Sequence, residues 1–110
     1  MESGYELMKK ILAKNLDIDG VFCGTDTIAV GAMEAVKEVG KKIPEDISIV
    51  GIGDTKISKV VTPKLTTARY YYKTSGVEAA TMLLAIIDEG QAYNKKIKLG
   101  YELLDRDSIK

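Results

Sequence analysis

Apolar residues recur along this chain in two rhythms, one of helical and one of strand period. From Tyr5 to Leu16, the residues Leu7, Met8, Ile11 and Leu12 fall on one helical face, with Ser3 as a candidate N-cap. Gly20-Val21-Phe22-Cys23-Gly24 predicts a short strand buried on both faces. A second helix is predicted from Asp26 to Val39, capped by Asp26 or Thr25, with Ile28, Ala32, Ala35, Val36 and Val39 inward. Gly40 ends it in the manner of a C′ residue. After a loop containing Pro44, Ile47 to Gly51 predicts another strand, followed by the turn Ile52-Gly53-Asp54-Thr55. Lys56 to Val61 reads as short helix or irregular chain, and Pro63 separates it from a strand over Leu65 to Arg69. A long helix follows from Lys73 to Asp88, with Val77, Ala80, Leu83, Leu84 and Ile87 on its apolar side and Gly90 as its stop. Ile97 to Leu104 alternates as a strand or hairpin arm does.

Alternating helices and strands predict an α/β fold, a mainly parallel sheet flanked by helices. With 110 residues and no internal repeat, linker or low-complexity stretch, one domain is expected. Ligands of open parallel sheets bind outside the carboxyl ends of the strands. Three such ends are Gly24-Thr25-Asp26, Gly51 to Thr55 and Arg69 to Tyr72, so a ligand site is sought there. Thr25 can donate and accept, and Asp26 accepts, though helix capping explains both. Gly53 needs only a turn, and Asp54 suits either a ligand hydroxyl or an Asx-type turn. Half of the six tyrosines stand in Tyr70-Tyr71-Tyr72. Phenol rings stack on sugar faces and bond sugar hydroxyls, and strand alternation puts Tyr70 and Tyr72 together with Tyr71 opposite.

Composition removes several classes. Sixteen basic residues balance sixteen acidic ones, and only Arg69 and Arg106 are arginines, so no surface for nucleic acid is indicated. The absence of histidine excludes a His-based metal site or triad in this chain. The single cysteine, Cys23, forms no intrachain disulfide and reads as a buried, inert thiol. No phosphate-cradling glycine loop and no nucleophile–base pair appears, so catalytic residues, cofactors and metals are not expected. No apolar run is long enough to span a bilayer and no secretion signal is seen, which points to the cytoplasm and away from membranes.

Four stretches of the chain follow a known set of motifs. Asp19 to Met33, DGVFCGTDTIAVGAM, is similar to the pattern D-A-I-F-C-x-N-D-x-M-A-x-G-A. Ile43 to Gly51, IPEDISIVG, resembles V-P-x-D-I-S-V-V-G, and Thr62 to Thr67, TPKLTT, resembles x-P-x-L-T-T. Glu102 to Ser108, ELLDRDS, is similar to the closing E-L-V-x-R-x-S. All four stand in the order and spacing of the LacI/GalR family of transcriptional regulators, which the chain resembles. The resemblance implies the C-terminal lobe of a periplasmic-binding-protein-like (type I) fold, with an effector in a cleft between two lobes. It implies a homodimer that meets operator DNA only through an N-terminal helix-turn-helix absent from this chain. Residues 1–69 and about 95–110 would form the second lobe, and the helix at about 72–90 would belong to the first.

Carried onto this sequence, the family's ligand-facing Asn falls on Thr25, the effector-binding Asp of its G-[YF]-D-D turn on Gly53, and the next Asp on Asp54. The family's Gln and aromatic residue after L-T-T fall on Tyr70 and Tyr72. Gly53 lacks the carboxylate that grips a sugar hydroxyl, and Thr25 replaces an amide. The implied effector is a sugar or sugar phosphate, with sucrose- or trehalose-responsive members the most similar. The dimer contacts fall on Val30, Ile57, Val60 and Val61, where core packing would choose the same residue types. Two other readings stay open: a sugar-binding component of a transport system with the same fold, and a small Rossmann-like nucleotide-binding enzyme domain.

Overall fold

A computed structural model describes residues 1–90 and 93–110. It orders them as α1 (Glu2–Ala13), β1 (Gly20–Phe22), α2 (Asp26–Glu38), β2 (Ser48–Ile52), α3 (Lys56–Val60), β3 (Thr66–Tyr70), α4 (Tyr72–Glu89) and β4 (Tyr101–Leu104). The four strands make one sheet in the order β1-β2-β3-β4. β1 and β2 pair in parallel with Val21 opposite Ile49, and β2 and β3 pair in parallel with Gly51 opposite Thr67. β4 runs the other way: Glu102 meets Arg69, while farther along the chain the Asp107 amide reaches back to the Lys64 carbonyl at 3.0 Å. The expected α/β sheet is thus parallel through three strands and closed by an antiparallel fourth. The chain falls into two compact units, Met1–Arg69 with Glu102–Lys110, and Tyr70–Tyr101.

In the larger unit α1 and α2 approach so closely that only glycine fits at the contact. A Cβ on Gly31 would stand 2.0 Å from the Met1 carbonyl oxygen, and one on Gly4 would stand 2.1 Å from that of Ile28. Beneath this crossing lie Met8, Cys23, Ala29, Ala32, Met33, Ala35, Val36, Ile47, Ile49 and Leu65, all buried. Burial also pushes the Cys23 thiol above its ordinary pKa, which keeps it protonated and inert as expected. α2 ends at Gly40, whose φ of 80° is the left-handed geometry glycine adopts without a Cβ clash. Its amide bonds the Lys37 carbonyl at 2.9 Å and the Lys41 amide bonds that of Val36 at 3.2 Å, the paired bonds of a Schellman ending.

Several expectations are corrected. α1 begins at Glu2, so Ser3 lies inside it and caps nothing; Met1 stands at the cap position without a side-chain bond. Leu7 is exposed and Met8 takes the inward place. β1 is not buried on both faces: it is an edge strand, and Phe22 is 71% exposed. On α2 the inner stripe is Ala29, Val30, Ala32, Met33, Ala35 and Val36, while Val39 has turned outward. Its register is set by the need to bring small residues against α1.

The smaller unit is built differently. α4 has 18 residues and buries none of them fully, and Gly90 ends it at φ 63°. Val77, Leu83, Leu84, Ile86 and Ile87 are all exposed. Only Glu78, Met82 and Ala85 are half-buried, a narrow stripe at helical spacing.

Candidate functional site

β1, β2 and β3 are parallel neighbours, so their carboxyl ends share one edge of the sheet. At that rim, Thr25 is the N-cap of α2, its Oγ1 accepting the Ile28 amide at 3.2 Å. Asp26, the alternative cap, has another task. It is fully buried; its Oδ2 accepts the Thr55 amide at 2.7 Å and the Thr55 hydroxyl at 2.9 Å, while Oδ1 accepts the Thr67 hydroxyl at 2.5 Å. Residues following β1, β2 and within β3 are thereby tied to one carboxylate. Gly51 makes the space: a Cβ there would lie 2.6 Å from Asp26 Oδ1.

The turn after β2 puts two residues at positive φ, Gly53 at 131° and Asp54 at 48°. The first value is strained for any side chain, and the second is one that Asp tolerates. The turn aims the Asp54 carboxylate inward, where only 6% of its side-chain surface remains exposed. There is no Asx-type bond. Instead Asp54 Oδ1 accepts Arg106 Nη2 at 2.6 Å, and Oδ2 accepts Arg69 Nε at 2.9 Å and Nη2 at 2.8 Å. Lys59 stands 3.8 Å away. Burial pushes the Asp54 carboxyl up, but hydrogen bonds from Arg106 and Arg69 and the Lys59 charge outweigh it and hold the pKa below the usual carboxylate value.

Arg106 also bonds Ser58 Oγ at 2.8 Å and the Leu65 carbonyl at 3.1 Å, fastening the chain end to α3 and β3. Two residues on, Ser108 splices β2 to β3: its hydroxyl donates to the Ile49 carbonyl at 2.5 Å and accepts the Thr66 amide at 2.9 Å. Residue-by-residue reading missed both side chains. Their only signal was their place in the E-L-L-D-R-D-S stretch.

Tyr70 and Tyr72 belong to the smaller unit, their rings meeting edge to face at 6.0 Å and 84°. They line a groove of about 350 Å³ with Tyr71, Ser75, Glu78, Met82, Ile97 and Leu99. Tyr71 was expected on the opposite side. It shares the groove because the strand stops at Tyr70 and the helix starts at Tyr72, so strand alternation does not run through it. Of the residues expected at a dimer contact, Val30 is buried, Ile57 and Val61 half-buried, and Val60 76% exposed. Val30 and Val61 border one small groove with Met33, Glu34, Lys37 and Thr62. Among the described residues no helix is long and apolar enough to cross a membrane, and no cluster of His, Cys, Asp and Glu suits a metal ion.

Comparison with known proteins gives a consistent result. A family model for the periplasmic binding protein-like domain matches residues 1–109. The chain is 36% identical over 110 residues to the probable HTH-type transcriptional repressor ExuR of Bacillus subtilis (strain 168), covering 100% of this chain and 33% of that protein. It superposes on the transcriptional regulator CelR in complex with cellobiose with a TM-score of 0.92 at 26% identity, over 97% of this chain and 33% of the other. On the lac repressor dimer bound to operator and the anti-inducer ONPF the TM-score is 0.90 at 30% identity, over 98% and 37%. The chain therefore spans about a third of the length of these relatives.

Proposed function

From the premise that this chain belongs to the periplasmic binding protein-like domain family and that its relatives are LacI-type repressors, we propose that it is the effector-binding and dimerising part of such a repressor. It responds to a sugar or sugar phosphate, works in the cytoplasm, and catalyses nothing. Operator DNA is contacted by a helix-turn-helix lying in a part of the protein that this chain does not include, as the names of the relatives suggest. The observation that carries the reading is the rim: three adjacent parallel strands end together, and the loops leaving two of them are braced by buried Asp26 and Asp54. A braced rim can present Thr25 and the Gly53–Asp54 backbone to a ligand in fixed geometry, with the Asp54 carboxylate holding the turn from beneath.

In this reading Tyr70 and Tyr72 supply aromatic contacts to the effector. Residues 1–69 and about 95–110 belong to one lobe of a two-lobed protein, and the helix at about 72–90 to the other. Val30, Ile57, Val60 and Val61 meet a second copy, supported by the exposure of Val60 and the shared groove of Val30 and Val61. Effector and operator then act through one two-state element, each biasing it for the other.

A thermal-shift screen tests the reading. Sugars or sugar phosphates at concentrations well above their Kd raise the melting point, since a ligand bound only to the native state stabilises it. A rise with NAD or ATP and none with any sugar would instead make this an enzyme-type nucleotide domain.

A further inference from the structure

Resting on the readings of the rim as an effector site and of α3 as part of a contact between copies, we propose that α3 reports the state of the rim. A ligand at the rim then changes how α3 meets a second copy. α3 has few holds of its own. Of its five residues only Ser58 is fully buried; Lys59 and Val60 are exposed, and Val61 at the C-cap packs partly against the core. A helix this short is not stable by itself, so its placement comes from what it is tied to.

Two ties lead to the rim. The first is Asp26, next in sequence to Thr25. Its Oδ2 accepts the amide and the hydroxyl of Thr55, the N-cap of α3, at 2.7 and 2.9 Å. The second is Asp54, next to Gly53. Its Oδ1 accepts Arg106 Nη2 at 2.6 Å, and Arg106 Nη1 donates to Ser58 Oγ, inside α3, at 2.8 Å. Ser58 in turn donates to the Thr55 carbonyl at 2.7 Å, which joins the two ties. The loops after β1 and β2 therefore each hold α3, one by its N-terminal end and one by its buried residue. Asp26 is fully buried and the Asp54 side chain is 6% exposed, so little water is at hand to replace a lost partner. A ligand that shifts Thr25 or the Gly53–Asp54 backbone displaces a carboxylate, and the carboxylate draws α3 with it. Val60, 76% exposed, is carried along.

Gly51 offers a way to push one tie with no ligand present. It lies on β2, outside α3, yet a Cβ there would stand 2.6 Å from Asp26 Oδ1. The chain is followed by NMR through the amides of Thr25, Gly53, Val60 and Val61, with its dimer constant taken from sedimentation. Gly51→Ala moves the Val60 and Val61 signals and changes the dimer constant about fivefold or more, while Val36, far along α2, keeps its exchange rate. Should Gly51→Ala unfold the chain, Thr55→Val, at an exposed position, removes one bond to Asp26 and gives the same response in smaller measure. Glucose, sucrose, trehalose and glucose 6-phosphate supply the ligand arm. A compound that moves the Thr25 and Gly53 amides also moves Val60 and shifts the dimer constant, and Ser58→Ala weakens that link. α3 signals indifferent to Gly51→Ala and Thr55→Val overturn the proposal, as does rim binding that leaves Val60 where it was. If the substitutions move α3 but none of the four compounds moves a rim amide, the coupling stands and the effector-site reading falls. If α3 responds in a chain that stays monomeric at every concentration, the coupling again stands and the dimer reading falls.

Discussion

In the larger unit even polar side chains have left the solvent: Asp26, Ser58, Thr66, Thr67 and Ser108 are all buried. In the smaller unit an 18-residue helix rich in leucine and isoleucine buries no residue fully. Buried polar atoms are tolerated in the first because each has a partner; among the described residues no buried side-chain nitrogen or oxygen lacks a hydrogen bond. Exposed apolar residues in the second lie on several sides of α4, the pattern of a helix made to be covered on more than one face. One unit is self-sufficient in packing and the other is not. The difference predicts where substitutions hurt.

The largest effect is expected at Arg106, the cation that ties the chain end to Asp54, Ser58 and the Leu65 carbonyl. Arg106→Met keeps the length but takes one of two arginines from a nearly buried carboxylate; Arg69 stays on Oδ2, so the cost should lie near the lower end of the about 3–5 kcal/mol lost when a buried pair is broken outright. The loss depends on pH in a definite sense. The Asp54 pKa is lowered in the folded chain, so its contribution is complete above the unfolded value of about 3.9 and vanishes as pH falls through the lower folded value. Denaturant unfolding at a series of pH values should show a wide gap between wild type and Arg106→Met at pH 7 that narrows below about pH 4. A constant gap would mean that Arg106 acts through packing rather than through Asp54.

Gly31→Val is expected to come next. The new Cβ meets the Met1 carbonyl at 2.0 Å and the Tyr5 amide nitrogen at 2.8 Å, backbone atoms of the α1 N-cap and of α1 itself that no side-chain rotation can move. Overpacking costs about 1–3 kcal/mol, and a backbone clash belongs at the top of that range. Circular dichroism melts of the variant should show a lower midpoint than those of the unaltered chain. An unchanged midpoint would deny the close helix crossing.

Neither of these two sites was announced by the sequence, whereas features with a local cause were. Helix ends at Gly40 and Gly90 were legible, because a residue at positive φ after an apolar stripe is a local requirement that glycine meets most readily. The α/β alternation and the three strand ends were legible for the same reason, as short-range patterns. Asp26 was misread as a competing cap because its true partners, Thr55 and Thr67, are 29 and 41 residues away. The same holds for Arg106 and Asp54, 52 residues apart, and for the Gly4 and Gly31 crossing, where glycine within a helix carries no local message. Inward and outward residues of α2 were displaced because contact with α1, not hydrophobicity alone, fixes its rotation. The arrangement of cations around one carboxylate was out of reach, since sequence shows charges but not their convergence.

The smallest effect is expected on α4, and its smallness is the sharper test of the contrast. Ile87 is largely exposed, so Ile87→Ser removes little buried area, and its effect on unfolding free energy should stay within about 0.5 kcal/mol. The same isoleucine-to-serine change at buried Ile49 should cost several-fold more, because it loses contacts in the packed core beside Leu65 and Val36. Hydrogen exchange separates the units without mutation. Amides of α2 open only with the whole unit, whereas those of α4, with one narrow half-buried stripe, exchange through local opening. If α4 amides were protected to the level of α2, or if Ile87→Ser cost as much as Ile49→Ser, α4 would have to be covered in solution. The most direct source of cover is then a second copy of the chain, and the protection of α4 should rise with protein concentration while that of α2 stays constant.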